Sequence, residues 1–198
     1  MLKRTFDLTF AILGLLVLSP LFLIIGLAIA LDSKGGIFYL QTRVGKNEQT
    51  FQIFKFRTMR LHSDKGSLIT IGGRDPRVTK VGYFLRKYKL DELPQLMNIV
   101  NNTMSFVGPR PEVLKYVNLY NESQKKVLTV KPGITDYASL KYKDENELLG
   151  KAEHPEKLYT EEIMPEKLKL NLKYIESQSF STDLKIIFKT VSKILFSS

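Results

Sequence analysis

The chain has 198 residues, enough for one compact unit or at most two, with 30 Lys and Arg against 20 Asp and Glu and a formal net charge of +10. At 43% hydrophobic and 25% charged residues it forms a core rather than a disordered coil, and 12 Gly with 8 Pro are too few for a fibrous or low-complexity protein. Zero Cys excludes disulfides, thiolate zinc sites and cysteine nucleophiles, and two isolated histidines, His62 and His154, exclude a His-rich metal centre.

A basic chain of this kind has a partner that carries negative charge: nucleic acid, a lipid headgroup or an anionic substrate. The first predicted element is apolar. From Leu8 to Leu31, 24 residues carry no charge. As a helix, at about 1.5 Å per residue, they reach roughly 36 Å, enough to cross a hydrocarbon core of about 30 Å. A cleaved signal peptide fits poorly, because its apolar part is usually only about 7–15 residues long, and here Asp7 sits in the basic region. Ser19-Pro20 falls at mid-segment. Proline removes a donor and frees the carbonyl four residues earlier, which the Ser19 hydroxyl can satisfy where lipid offers no water. Basic residues flank both sides (Lys3 and Arg4 before; Lys34, Arg43 and Lys46 after), so no positive-inside asymmetry selects an orientation. On these residues alone, a Pro-kinked spanning helix and a re-entrant helix–break–helix stand equal.

Two short strands follow, at residues 37–40 and 51–56, with Gly45-Lys46-Asn47 as the hairpin turn between them. Residues 61–76 read as a polar loop, residues 78–89 as a helix by apolar spacing, and residues 94–100 as a short helix with proline in its first turn. A third helix is expected over 112–126, ended by Lys131-Pro132-Gly133, while 141–165 looks charged and irregular. Residues 166–175 and 183–196 are helical by period. On the last, Lys185, Lys189 and Lys193 line one face opposite an apolar stripe, the pattern of an interfacial helix.

The densest chemistry is Arg86-Lys87-Tyr88-Lys89-Leu90-Asp91-Glu92-Leu93-Pro94. Adjacent carboxylates behind a run of cations, just before a helix N-terminus, keep one carboxylate ionised, able to bind a hard cation or attack phosphorus. The plainer reading is that Asp91 caps the helix and Glu92 is its exposed neighbour. In Gly108-Pro109-Arg110-Pro111, two prolines stiffen the backbone around a guanidinium suited to phosphate. Strand alternation puts Lys55 and Arg57 on one face, either for a ligand or as charges guarding an edge. There is no Walker loop and no GxGxxG.

Taken together and in order, Ser-Pro inside an apolar segment, Lys55-Phe56-Arg57-Thr58-Met59, Leu90-Asp91-Glu92-Leu93-Pro94-Gln95, Gly108-Pro109-Arg110-Pro111 and Pro132-Gly133-Ile134-Thr135 resemble the small monotopic phosphoglycosyl transferases of the bacterial sugar transferase family. The resemblance implies an α+β, mostly helical fold, with a re-entrant membrane hairpin over 1–32, broken at Ser19 and Pro20. A catalytic domain over 33–198 would then sit on the cytoplasmic face of the bacterial inner membrane. It implies transfer of a sugar 1-phosphate from a UDP-sugar to undecaprenyl phosphate, with Asp91 as covalent nucleophile, Glu92 as its dyad partner and Mg²⁺ as cofactor at the pair. It also implies Pro109, Arg110 and Pro111 at the nucleotide, with Lys55, Arg57, Arg86 and Lys143 as further substrate contacts. Many relatives follow Pro-Gly-Ile-Thr with Gly, a Gln and later an Arg. This chain has Asp136-Tyr137-Ala138, and Lys143 where that Arg falls, which keeps charge but loses the bidentate fork. Two other classes stay open on composition: a membrane-anchored basic adapter and a nucleic-acid binder, the latter lacking a recognition module.

Overall fold

A computed structural model describes residues 1–61 and 75–196 of the chain. Most of the loop expected over 61–76 lies outside the described residues.

The apolar segment forms one uninterrupted helix, α1, Leu2–Asp32. The expected interruption at Ser19-Pro20 is absent, and the reason is local. Pro20 cannot donate to the Leu16 carbonyl, but the Ser19 hydroxyl donates to that same oxygen at 2.8 Å, so helical pairing carries on through the proline. One face of α1 packs on the rest of the protein at almost every turn: Asp7, Ala11, Ile25 and Ile29 are buried, and Leu15, Leu18 and Phe22 join the cores beneath. Its two ends are tied to the same body. Arg4 donates to the Ile99 and Val100 carbonyls, Lys3 to the Val107 carbonyl, and at the far end Asp32 accepts from the Val81 amide. The opposite face exposes Leu13, Leu16, Val17, Leu23, Ile24 and Leu27. An apolar strip of that length on a water-facing surface marks an interaction site, and the helix is long and apolar enough to cross a membrane.

The expected hairpin is present as β1 (Phe38–Val44) and β2 (Thr50–Phe56), antiparallel with Phe38 opposite Phe56, turned through Lys46–Glu48. Helix α2 (Lys80–Lys87) is capped by the Thr79 hydroxyl, which accepts from the Gly82 amide at 2.9 Å. A 3₁₀ turn, Leu90–Glu92, leads into α3 (Gln95–Val100).

Two very short strands, β3 (Ser105–Val107) and β4 (Gly133–Thr135), pair in parallel, a feature the sequence pattern did not signal. Gly108 and Gly133 make that pairing possible. A Cβ on Gly133 would lie 2.1 Å from the Gly108 amide nitrogen, so only glycine lets the two backbones pass this closely.

The helix expected over 112–126 is broken into α4 (Leu114–Val117), which ends at Asn118, and α5 (Glu122–Lys125), which Asn121 starts afresh with a capping box to Gln124. The stretch 141–165, expected to be irregular, instead holds α7 (Glu145–Lys151), α8 (Pro155–Leu158) and a π turn at Tyr159–Ile163, preceded by α6 (Tyr137–Lys141). Its many charges hid a few well-spaced apolar anchors: Leu149, Tyr159 and Ile163 are all buried in one core with α4 and α9 (Met164–Glu176). The chain ends in α10 (Phe180–Phe196), whose Ile186 is buried against Val107 and Tyr174, while Leu184, Phe188 and Val191 face outward. The result is the expected mostly helical α+β architecture.

Candidate functional site

Lys89 holds a left-handed backbone (φ 57), unusual for a residue with a side chain, and swings the chain from α2 into the Leu90–Glu92 turn. That turn points both carboxyls inward. Asp91 is 8% exposed, and Glu92 keeps 14% of its side chain exposed. Neither caps α3, whose N-cap is Pro94 without any side-chain bond, so the capping explanation of Asp91 is ruled out.

Glu92 is held by two cations from distant parts of the chain. Arg110 engages both of its oxygens, Nη1 donating to Oε2 at 3.1 Å and Nη2 to Oε1, and Lys55 Nζ donates to Oε1 at 3.2 Å. The Arg110 backbone is fixed in turn: its amide donates to the buried Asp136 carboxylate at 3.0 Å, and Asp136 also caps α6 by accepting from Ser139. Asp136, the residue that follows Pro-Gly-Ile-Thr, therefore orients the arginine backbone.

The two carboxyls are pushed apart in acidity. Burial would raise Glu92, but the Arg110 and Lys55 charges, with the Arg110 hydrogen bonds, outweigh it and hold Glu92 well below the usual carboxylate range. Asp91 goes the other way: burial first, then the Glu92 charge, raises it above 3.8, against the pull of Lys55 and Arg86. Its Oδ1 is buried and accepts no hydrogen bond. The sequence argument that one of the pair stays ionised holds for Glu92. Its causes are two partners brought in by tertiary folding.

Asp91 and Glu92 line a cavity of about 500 Å³, within the range of small-molecule sites. The structure brings Lys55, Arg86, Arg110, Pro111 and Lys143 to the same cavity. Arg86 is steadied by donating from Nε to the Thr58 hydroxyl at 2.8 Å. Two expected residues fall elsewhere. Pro109 borders a separate cavity of about 30 Å³. Arg57 lies just past the end of β2, and its guanidinium donates to the Ser33, Lys34 and Gly35 carbonyls, closing the C-terminal end of α1.

Sequence reasoning missed the far end of the cavity. There Arg43 pairs with Glu112 at 3.0 Å and the Tyr159 hydroxyl donates to Glu112, with Tyr116 alongside. Glu112 follows Pro111 directly, and that adjacency was the available signal.

Mg²⁺ fits this donor set on one side only. Among the described residues no three His, Asp or Glu side chains gather to hold a metal. Asp91 offers an unpaired oxygen, while both Glu92 oxygens are committed to Arg110 and Lys55. One carboxylate completed by phosphate oxygens and water is an ordinary shell for Mg²⁺. Asp91 would hold the ion, and the expectation that Glu92 shares it is not supported by this geometry.

A buried carboxyl with an unpaired oxygen, in a cavity lined by cations, is electrostatically suited to an anionic ligand. The chain belongs to the bacterial sugar transferase family, which it matches over residues 1–197. It is 37% identical over 196 residues to UDP-glucose:undecaprenyl-phosphate glucose-1-phosphate transferase of Escherichia coli (strain K12), covering 98% of this chain and 40% of that protein. It is 38% identical over 202 residues to undecaprenyl-phosphate glucose phosphotransferase of Komagataeibacter xylinus, covering 98% of this chain and 36% of that protein. It is 34% identical over 210 residues to the exopolysaccharide production protein ExoY of Sinorhizobium fredii, and there it spans 86% of the relative. The chain thus spans well under half the length of two of these relatives and most of the third.

The opposed shifts predict a pH profile. Any reaction that uses the ionised Asp91 carboxylate should have an acid limb above pH 3.8. Glu92→Gln removes a charge that raises Asp91, so the limb should move to lower pH, read from the first-turnover rate against pH.

Proposed function

We propose that this protein transfers a sugar 1-phosphate from a UDP-sugar to undecaprenyl phosphate, the first membrane step of bacterial glycan assembly. The observation that carries this reading is Asp91: a carboxyl with one unpaired oxygen, facing a cation-lined cavity beside an arginine-locked glutamate. The relatives' names supply the substrate class.

In the first step an Asp91 oxygen bonds to the β-phosphorus while the bond from that phosphorus to the bridging oxygen breaks, and UMP leaves. In the second, an oxygen of undecaprenyl phosphate bonds to the same phosphorus, the Asp91–phosphorus bond breaks, and the carboxylate is restored as the diphosphate-linked sugar departs. The split suits a membrane enzyme, since a water-soluble donor and a lipid acceptor need not be bound together. The acceptor monoester has a second pKa of about 6 and is mostly ionised at neutral pH, so Glu92 is not required as a base. Its part is to keep Arg110 and Lys55 in place at the phosphates. Mg²⁺, when bound at Asp91, would supply charge neutralisation at the phosphate oxygens.

The outward apolar strip of α1 supports attachment to the inner membrane. Lys3, Arg4 and Asp32 tie both ends of the helix to the catalytic body, which supports a helix held against that body on one side of the membrane over one that spans it. The test is to trap the protein with donor alone. Intact mass should rise by one phosphosugar, and the added mass should map to the peptide containing Asp91. Turnover without any such adduct would overturn the reading.

A further inference from the structure

The geometry points to a subsite for the lipid acceptor inside the same cavity: Leu96, Phe106, Ile134 and Leu140 take the first isoprenoid unit of a prenyl monophosphate, and Lys193, with Thr190 beside it, takes the phosphate. This rests on the transferase reading and names the subsite for its second substrate.

The argument starts from a helix whose lysines do not behave alike. Sequence period groups Lys185, Lys189 and Lys193 as one solvated face, but only Lys193 turns inward. Lys185 and Lys189 are exposed, whereas Lys193 is half-buried, lines the cavity and donates to the Leu140 carbonyl. Its partner is neutral. Of the other cavity cations, Lys55 and Arg110 pair with Glu92, Arg43 with Glu112 and Lys167 with Glu145, while Lys89, next to the Asp91 turn, has no ion pair among the described residues. Among the described residues Lys193 makes no ion pair, so no carboxylate competes with an incoming anion there. The neighbouring Thr190 hydroxyl meets that of Thr135 at 2.7 Å and adds a polar group at the same wall.

The apolar part of the wall has a direction. Leu96, Phe106 and Ile134 belong to the cluster that packs against Leu15 and Leu18 of α1, so the cavity wall is the reverse side of the surface on which the apolar helix lies. On the other flank, α10 carries Leu184, Phe188 and Val191 outward and Lys193 inward. A ligand with an alkyl chain and a terminal phosphate therefore finds an apolar wall and Lys193 in the same cavity as Asp91. A nucleotide sugar, which has no alkyl chain, gains nothing from that wall.

The experiment uses the full chain in detergent micelles with farnesyl phosphate, a short prenyl monophosphate, as the probe. Lys193→Gln should weaken farnesyl phosphate binding, measured by calorimetry without donor, by about tenfold, the scale of one lost hydrogen bond to a charged group. It should raise the acceptor KM by a similar factor while leaving the UMP burst with donor alone unchanged. Lys193→Arg should recover most of the loss, and Lys185→Gln with Lys189→Gln should lose nothing toward this soluble acceptor. Inorganic phosphate should bind far more weakly than farnesyl phosphate. An unchanged farnesyl phosphate affinity in Lys193→Gln, equal loss in the Lys185 and Lys189 variants, or equal binding of inorganic phosphate would each overturn the subsite. A wild-type protein that binds farnesyl phosphate through Lys193 yet forms no adduct with any UDP-sugar would overturn the transferase reading and leave the subsite standing.

Discussion

Asp91→Asn is expected to abolish UMP release from the donor and adduct formation, by at least about 1000-fold, because an amide does not form the acyl phosphate. The fold should survive the change. The Asp91 carboxyl is buried with an unpaired Oδ1, and burial raises its pKa, so its ionised form is a cost to the folded state at neutral pH. The sign follows: a raised folded value gives stability that is present below pH 3.8 and lost as pH rises through that folded value. Asn is nearly the same shape without the charge, and thermal unfolding in detergent should show an unchanged or higher midpoint. If Asp91 were only a helix cap, the opposite pair of results would appear: intact turnover, and a loss of about 1 kcal/mol.

Arg110→Met should be the most damaging single change to stability at the site. It strands Glu92, whose remaining cation is Lys55 at 3.2 Å. Breaking a fully buried pair by removing one partner costs about 3–5 kcal/mol, and the loss here should fall below that range because Lys55 stays and 34% of the Arg110 side chain is exposed to solvent. Glu92→Gln added to Arg110→Met should return part of that loss, since no buried charge is then left unmatched. The pH dependence separates this from simple cavity formation. Glu92 is depressed in the folded protein, so its contribution is present above pH 4.5 and lost as pH falls through its lower folded value. In Arg110→Met that acid-side loss should begin at higher pH. Denaturant unfolding from pH 3 to pH 7 reads both effects, and a double-mutant cycle with no recovery would show that the two residues are not coupled.

Much of this molecule was legible in its residues. The uncharged run, the hairpin turn at Gly45-Lys46-Asn47, the short helix after Pro94 and the two C-terminal helices follow from hydropathy period and turn chemistry, and all are present. The Ser19 hydroxyl takes the carbonyl that Pro20 frees, as local chemistry demands, and in doing so preserves the helix it was expected to break. The reading of 112–126 missed the Asn121 capping box, and the reading of 141–165 failed for another reason. Runs of charge dominate the pattern there, while a few apolar residues such as Leu149 and Tyr159 decide the packing.

What the sequence determined alone is whatever depends on neighbours along the chain: element type, the adjacent carboxylates, the proline-stiffened arginine. What only the tertiary structure decided is which group meets which. Glu92 is the more acidic member of the pair because residues 18 and 37 positions away reach it. Arg57 and Lys193, grouped by period with Lys55 and with Lys185, are separated from them in space, one closing a helix and the other entering the cavity. Period assigns a residue to a face, but electrostatic and hydrogen-bond energies fall off with distance in space, and that distance is set by the packing of elements far apart in the chain.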